Sequence, residues 1–149
     1  MNRPIKVLVV DNDEVFHHRV CEVLESTESI TIAGWAQNSR EAMALARELQ
    51  PDVILVDIGT SPENLRTVAQ ISKSFPDVRI VVLNEDGQEQ QVLDALRLGA
   101  LGHLSRESAQ STKLVHAICA ASRREAILSP DVAGHILDEV ARERNRGES

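Results

Sequence analysis

Val53-Ile54-Leu55-Val56-Asp57 decides the fold, and it has a counterpart in Val7-Leu8-Val9-Val10-Asp11. Each is an unbroken apolar run, without polar alternation, that ends on a carboxylate. Such runs describe strands buried on both faces, as in a parallel sheet covered by helices. Two strands that each deliver an acid at the C-terminal end put both acids on one rim of an open sheet, where α/β folds bind ligands. Either Asp alone could be a turn residue or a helix N-cap. Their matched placement makes them a candidate site.

Outward from these runs, β-rich segments alternate with amphipathic ones, the pattern of a parallel sheet with crossover helices. Strands are predicted at Ile5 to Val10, Thr31 to Ala36, Val53 to Asp57, Ile80 to Asn84 and Gly102 to Leu104. The first helix carries Phe16, Val20, Val23 and Leu24 on one face, with His17 and His18 pointing elsewhere. A second starts near Asn38 or Ser39, turns Ala42, Leu45, Ala46 and Leu49 inward, and ends before Pro51. The third opens at Pro62, carries Leu65, Val68, Ile71 and Phe75, and stops at Pro76. Val92, Leu93, Ala95 and Leu96 mark the fourth, closed by Gly99. The fifth is expected from about Ser108 to Arg124, with Leu114, Val115, Ile118 and Ala121 inward.

Beyond Ala126, Ser129-Pro130-Asp131 combines an N-cap, a first-position proline and an acidic first turn. Val132, Ala133, Ile136, Leu137, Val140 and Ala141 follow on one stripe, so a sixth helix is expected. It lies outside the strand–helix alternation. Its apolar stripe therefore docks either on its own domain or on a second copy of the chain. The last residues, Gly147-Glu148-Ser149, are expected to fray.

At 149 residues with 42% apolar content, the chain can build one sizeable core. The expected organisation is one domain over residues 1–126, then a linker and amphipathic helix over 127–149. A formal charge of −7, from 16 basic and 23 acidic residues, argues against a nonspecific grip on nucleic acid. The 2% aromatic content nearly excludes base-stacking surfaces. No apolar run approaches the roughly 20 residues that span a bilayer, and no signal peptide precedes the first strand, so a cytoplasmic protein is expected. Cys21 and Cys119 lack metal-ligand or disulfide spacing and read as reduced core thiols. His17, His18, His116 and His135 have no ligand spacing and are read as surface residues.

Taken in order, Asp11-Asn12-Asp13 after the first strand, Asp57 after the third, the Gly99-Ala100 turn and the Arg106 region resemble a response-regulator receiver domain, CheY-like in fold. The stretch Arg40-Glu41-Ala42 to Pro51-Asp52-Val53, and Leu98-Gly99-Ala100-Leu101-Gly102-His103-Leu104, are similar to receivers of the NarL/LuxR type. The resemblance covers roughly residues 4 to 125, and the sixth helix matches that subfamily's linker. It implies a doubly wound, five-stranded parallel sheet, flavodoxin-like, in the order 2-1-3-4-5.

It further implies phosphoryl transfer from a sensor histidine kinase, a phosphotransfer protein or a small phosphodonor to Asp57. A carboxylate attacking an anionic phosphoryl group meets like-charge repulsion, which Mg²⁺ relieves. The family pattern assigns Mg²⁺ to Asp11, Asn12, Asp57 and the Gly59 carbonyl. It assigns the phosphoryl oxygens to Asn84 and Arg106, and the aromatic switch position to His103. This chain departs from that pattern at several points. Asn12 offers an amide oxygen without charge, which weakens Mg²⁺ binding, and Asp13 compensates only in part. Asn84 is bulkier than the usual hydroxyl residue, Glu85 adds negative charge, and Arg106 replaces a compact lysine charge with a planar fork. Thr60-Ser61-Pro62 replaces a Met-Pro-Gly segment and shortens the loop by about one residue.

The leading expectation is a two-component receiver in which phosphorylated Asp57 changes the partner or dimer affinity of the surface of helix four, strand five and helix five. The alternative is a pseudo-receiver that keeps the fold as a metal-free interaction or dimerisation module. Either can be the N-terminal part of a DNA-binding transcription regulator, with no direct nucleic-acid or membrane contact from this segment. No Ser/His/Asp arrangement stands outside the rim, so an enzyme in its own right is not expected.

Overall fold

A computed structural model describes residues 3–59, 62–85 and 87–147. Five strands, β1 (Ile5–Val10), β2 (Ile30–Ala36), β3 (Val53–Asp57), β4 (Arg79–Asn84) and β5 (Gly102–Ser105), form one parallel sheet in the order β2-β1-β3-β4-β5. Among the described residues, six α-helices accompany them: α1 (Glu14–Glu25), α2 (Ser39–Leu49), α3 (Pro62–Ser74), α4 (Glu89–Arg97), α5 (Lys113–Ser122) and α6 (Pro130–Gly147).

Side-chain alternation along the central strands splits the core into two layers. Val7, Val9, Val53, Leu55, Val81 and Leu83 face α1 and α5, where Phe16, Leu24, Leu114 and Ile118 meet them. Leu8, Val10, Ile54, Val56, Ile80 and Val82 face the opposite way, against Ala42 and Ala46 of α2, Val68 and Ile71 of α3 and Ala95 of α4. β1 and β3 are therefore covered on both faces, which is why their sequences carry no polar alternation. Burying each of these large side chains stabilises the fold by about 1.5–3 kcal/mol.

Local signals set the element ends. Asp13, rather than Asp11, caps α1, its Oδ1 accepting the Phe16 N–H at 3.1 Å. Asn38 caps α2 through the Glu41 N–H. α4 ends at Arg97 with Leu98 as its C-cap, and Gly99 takes φ +120°, a conformation open to glycine and costly for other residues. β2 changes register between Val7 and Leu8, a bulge that pairs Trp35 with Val9 and brings the indole to the rim.

The fifth helix begins later than expected. Ser108–Gln110 forms a separate 3₁₀ turn, in which the Ser105 hydroxyl oxygen accepts the Ser108 N–H and the Ser111 hydroxyl donates to the Ser108 carbonyl. Serine side chains compete there for backbone groups that a continuous helix would use.

α6 docks on its own domain through its first half. Val132 is buried with Val92 and Leu93 of α4, Leu128 and Ile136 pack against them, and Arg97 pairs with Glu139. The approach is fixed along β5: the His103 N–H donates to the Ile127 carbonyl at 3.0 Å, and the Ser129 N–H donates to His103 Nε2 at 3.2 Å. Ser129 Oγ accepts the Val132 N–H, as an N-cap does. Leu137 and Val140, placed on the same stripe by the sequence reading, are exposed. Thr60 and Ser61, with the loop-length reading that rests on them, lie outside the described residues, as do Glu148 and Ser149. Among the described residues, no helix is long and apolar enough to cross a membrane.

Candidate functional site

β1 and β3 lie side by side, Val10 opposite Val56, so Asp11 and Asp57 leave the sheet at neighbouring points on its C-terminal rim. Asp57 is largely buried, and one of its carboxylate oxygens, Oδ1, is buried without a hydrogen-bond partner among the described residues. Burial pushes the Asp57 carboxyl up from its ordinary value. Arg106 opposes that rise, Asp11 adds to it, and the backbone N–H of Gly59 works against it.

Arg106 follows β5 and reaches across the rim. Its Nε lies 3.4 Å from Asp57 Oδ2 as a charge contact, without forming a hydrogen bond. The two other guanidinium nitrogens reach Asp13 Oδ2 at 3.0 Å and Glu85 Oε1 at 3.5 Å. The guanidinium carbon sits 4.2 Å from the Phe16 ring centroid, so the fork is held from beneath by a cation–π contact. The hydrogen bonds that Asp13 accepts, from the Phe16 N–H and then from Arg106, hold its carboxyl below the usual range.

Asn84 is buried at the end of β4. Its Nδ2 donates to the Glu85 carbonyl at 2.9 Å, and its Oδ1 is buried without a partner. One of the two amide N–H donors expected for a phosphoryl oxygen is thus engaged with the backbone here. His103 is 8% exposed, its Nδ1 unpartnered, and burial lowers its basicity.

Asp11 has partners that the sequence reading did not assign. Trp35 Nε1–H donates to its Oδ1 at 3.1 Å and to its carbonyl at 3.0 Å, while His17 Nδ1 lies 3.2 Å from its Oδ2. The imidazole stacks on the indole and touches Cys21 Sγ at 3.3 Å. His17 is therefore a rim residue rather than a surface one. The overlooked signal was Trp35 near the end of β2, beside β1. Burial raises the Asp11 carboxyl, against the lowering effect of His17 and Trp35. Both cysteines are free and half-buried, which corrects their reading as core residues; Cys21 meets His17 instead.

The rim suits a hard divalent cation in kind. Asp11, Asp13, Asp57 and Glu85 are four acidic groups, three of them contacted by Arg106, and Asp57 Oδ1 is an unspent oxygen donor. Asn12, exposed, adds a neutral oxygen. Among the described residues, no group of three or more His, Cys, Asp or Glu side chains converges on a common point as a metal site. The donors are present without being assembled.

The family model for the response regulator receiver domain matches residues 7–119. The chain belongs to that family and is a receiver domain of two-component response regulators. Among curated relatives, the transcriptional regulatory protein YdfI of Bacillus subtilis is 34% identical over 141 residues, covering 93% of this chain and 64% of that protein. LiaR, from the same organism, is 33% identical over 146 residues, covering 97% and 67%. The chain spans about two thirds of the length of these relatives. Among solved structures, a LuxR-family response regulator from Aurantimonas superposes with a TM-score of 0.79 at 25% identity, covering 93% of this chain and 99% of that one. The response regulator domain of Thermotoga maritima CheB gives 0.71 at 28%, covering 81% and 98%.

Proposed function

We propose that Asp57 is the phosphoacceptor of this receiver, with a histidine kinase or phosphotransfer protein as donor and Mg²⁺ as the neutralising cation. One observation carries the reading. Asp57 Oδ1 and Arg106 Nε, an acceptor and a donor, are both buried and unspent at the ligand-binding rim of the sheet. In the transfer, an Asp57 oxygen forms the new O–P bond while the bond from phosphorus to the donor's imidazole nitrogen breaks. Arg106 turns its free Nε–H toward the incoming oxygens, and Asn84 joins by releasing the Glu85 carbonyl. Asp11, Asn12, Asp57 and the Gly59 carbonyl would hold Mg²⁺, which supplies charge neutralisation when bound.

The output follows from α6. It covers part of the α4–β5 face through Val132 and the His103–Ser129 hydrogen bond, so a change at Asn84, one strand from His103, shifts α6 between docked and released states. Released α6 changes affinity for a second copy of the chain or for a following DNA-binding region, as in a cytoplasmic transcriptional regulator. Adding beryllofluoride with Mg²⁺ and following the amide resonances of α4, β5 and Ile127 to Val132 tests this. The reading expects shifts at both the rim and α6; an unchanged spectrum rejects it.

The second reading, a phosphorylation-independent interaction module, draws on Arg106. By linking Asp57, Asp13 and Glu85, it supplies at the rim a positive charge of the protein's own. That reading expects α6 to respond to a partner protein without any phosphodonor.

A further inference from the structure

Cys21, His17, Asp11 and Trp35 form one continuous chain of contacts beneath the acidic rim. Each carboxylate oxygen of Asp11 has one side-chain partner, the indole N–H at 3.1 Å from Oδ1 and His17 Nδ1 at 3.2 Å from Oδ2. An ionised carboxylate can only accept, so Nδ1 carries a ring proton toward Asp11, and Nε2 on the far side of the ring faces the Cys21 thiol at 3.3 Å. The ring cannot swing freely, because it lies on Trp35 with centroids 3.9 Å apart and planes 14° from parallel. Asp11 itself is 5% exposed, so water does not replace these partners cheaply.

We propose that His17 and Trp35 form a clamp that holds the Asp11 carboxylate turned away from the cation position, so that the rim gains a charged oxygen ligand only when the clamp opens. This rests on the reading that the rim takes a divalent cation. The effect is large for this chain because Asn12 brings no charge, leaving Asp11 and Asp57 as the charged candidates among the assigned ligands. His17 and Trp35 are positioning residues in this account. Partners behind a metal ligand more commonly orient it and strengthen binding. Here one partner sits on each oxygen of a carboxylate that belongs to no converged group of His, Cys, Asp or Glu among the described residues, so the sign of their removal separates the two roles.

The test is a titration of Mg²⁺ alone into the full chain and into its Asn12→Asp variant, each with and without His17→Phe. Phenylalanine keeps an aromatic ring against Trp35 and removes the Nδ1 donor. Binding is read by calorimetry and by the emission of Trp35, the one tryptophan in the chain, without any phosphodonor. The clamp predicts that His17→Phe tightens Mg²⁺ binding about tenfold in both backgrounds, the scale of an outer partner's influence on a metal site. Trp35→Phe, which removes the other donor, gives the same direction by calorimetry and guards against a fault peculiar to one variant. Unchanged or weaker binding overturns the clamp; weaker binding makes His17 an orienting partner instead. If Asn12→Asp binds Mg²⁺ and His17→Phe does not improve it, the clamp falls while the cation reading stands. If no chain binds Mg²⁺, the double variant included, the cation reading falls and takes the clamp with it.

Discussion

Arg106 and Asp57 meet at 3.4 Å across the rim, and the same guanidinium also holds Asp13 and Glu85. One cation thus links the ends of β3 and β5 to the start of α1 and to the residue after β4. Arg106→Ala leaves these carboxylates facing one another, and stability in urea is expected to fall by about 1–2 kcal/mol, less than for a fully buried pair because the side chain is partly solvated. Arg106→Lys keeps the charge but not the fork, and its loss is expected to lie between alanine and wild type. Equal midpoints for the three chains would deny Arg106 this linking role.

Asp57 itself destabilises the ionised fold. Burial raises its carboxyl beyond what Arg106 offsets, so the folded state holds the proton more firmly than the unfolded chain. The stability contributed by that proton is complete below the ordinary Asp value and is lost as pH rises through the raised folded value. At neutral pH, Asp57→Asn is therefore expected to stabilise the domain by on the order of 1 kcal/mol. The gain fades on acidification through that window. Chemical denaturation at several pH values checks it, and a gain that persists unchanged in acid would contradict the burial argument.

His103 gives the opposite sign. Burial lowers its basicity, with Glu89 of α4 opposing; Lys113 of α5 and Asp131 of α6 line the same cleft. The neutral ring accepts the Ser129 N–H, so its stabilising contribution is present above the ordinary histidine value and is lost as pH falls through the lowered folded one. Hydrogen exchange at Ser129 and Val132 is expected to accelerate in that range, while His103→Gln, which retains an acceptor but does not titrate, abolishes the dependence. The same acid response in both chains would exclude His103 as the group responsible.

Gly102 lets the chain leading to α6 close on β5. A Cβ there would lie 3.0 Å from the Ile127 carbonyl oxygen and 3.1 Å from its nitrogen, both backbone atoms. Gly102→Ala is expected to displace residues 127–129 and raise protease sensitivity before Pro130, at a stability loss of about 1–2 kcal/mol. Cleavage no faster than in wild type would show that the contact gives way without releasing α6.

The sheet was legible because β1 and β3 are buried on both faces, so their composition alone reports their place. Asp57 was legible for the same reason, as the acid that ends such a strand. Asp11 was found, but its state was not, because both of its side-chain partners reach it through three-dimensional packing: His17 from six residues on, in the first turn of α1, and Trp35 from the next strand after a bulge. The start of α5 was misread because serine hydroxyls, which carry no periodicity, decide the 3₁₀ turn at Ser108. α6 divides at Ile136, since a stripe of apolar residues does not say how far a helix extends past the surface it docks on.

The central claim is that Asp57 accepts a phosphoryl group. Intact-mass spectrometry of the chain incubated with acetyl phosphate and Mg²⁺, beside Asp57→Asn treated alike, tests it most directly. The account predicts one added phosphoryl group on the wild type, absent from Asp57→Asn and localised to the peptide containing Asp57. An unmodified wild-type chain, or equal modification of both, would contradict it.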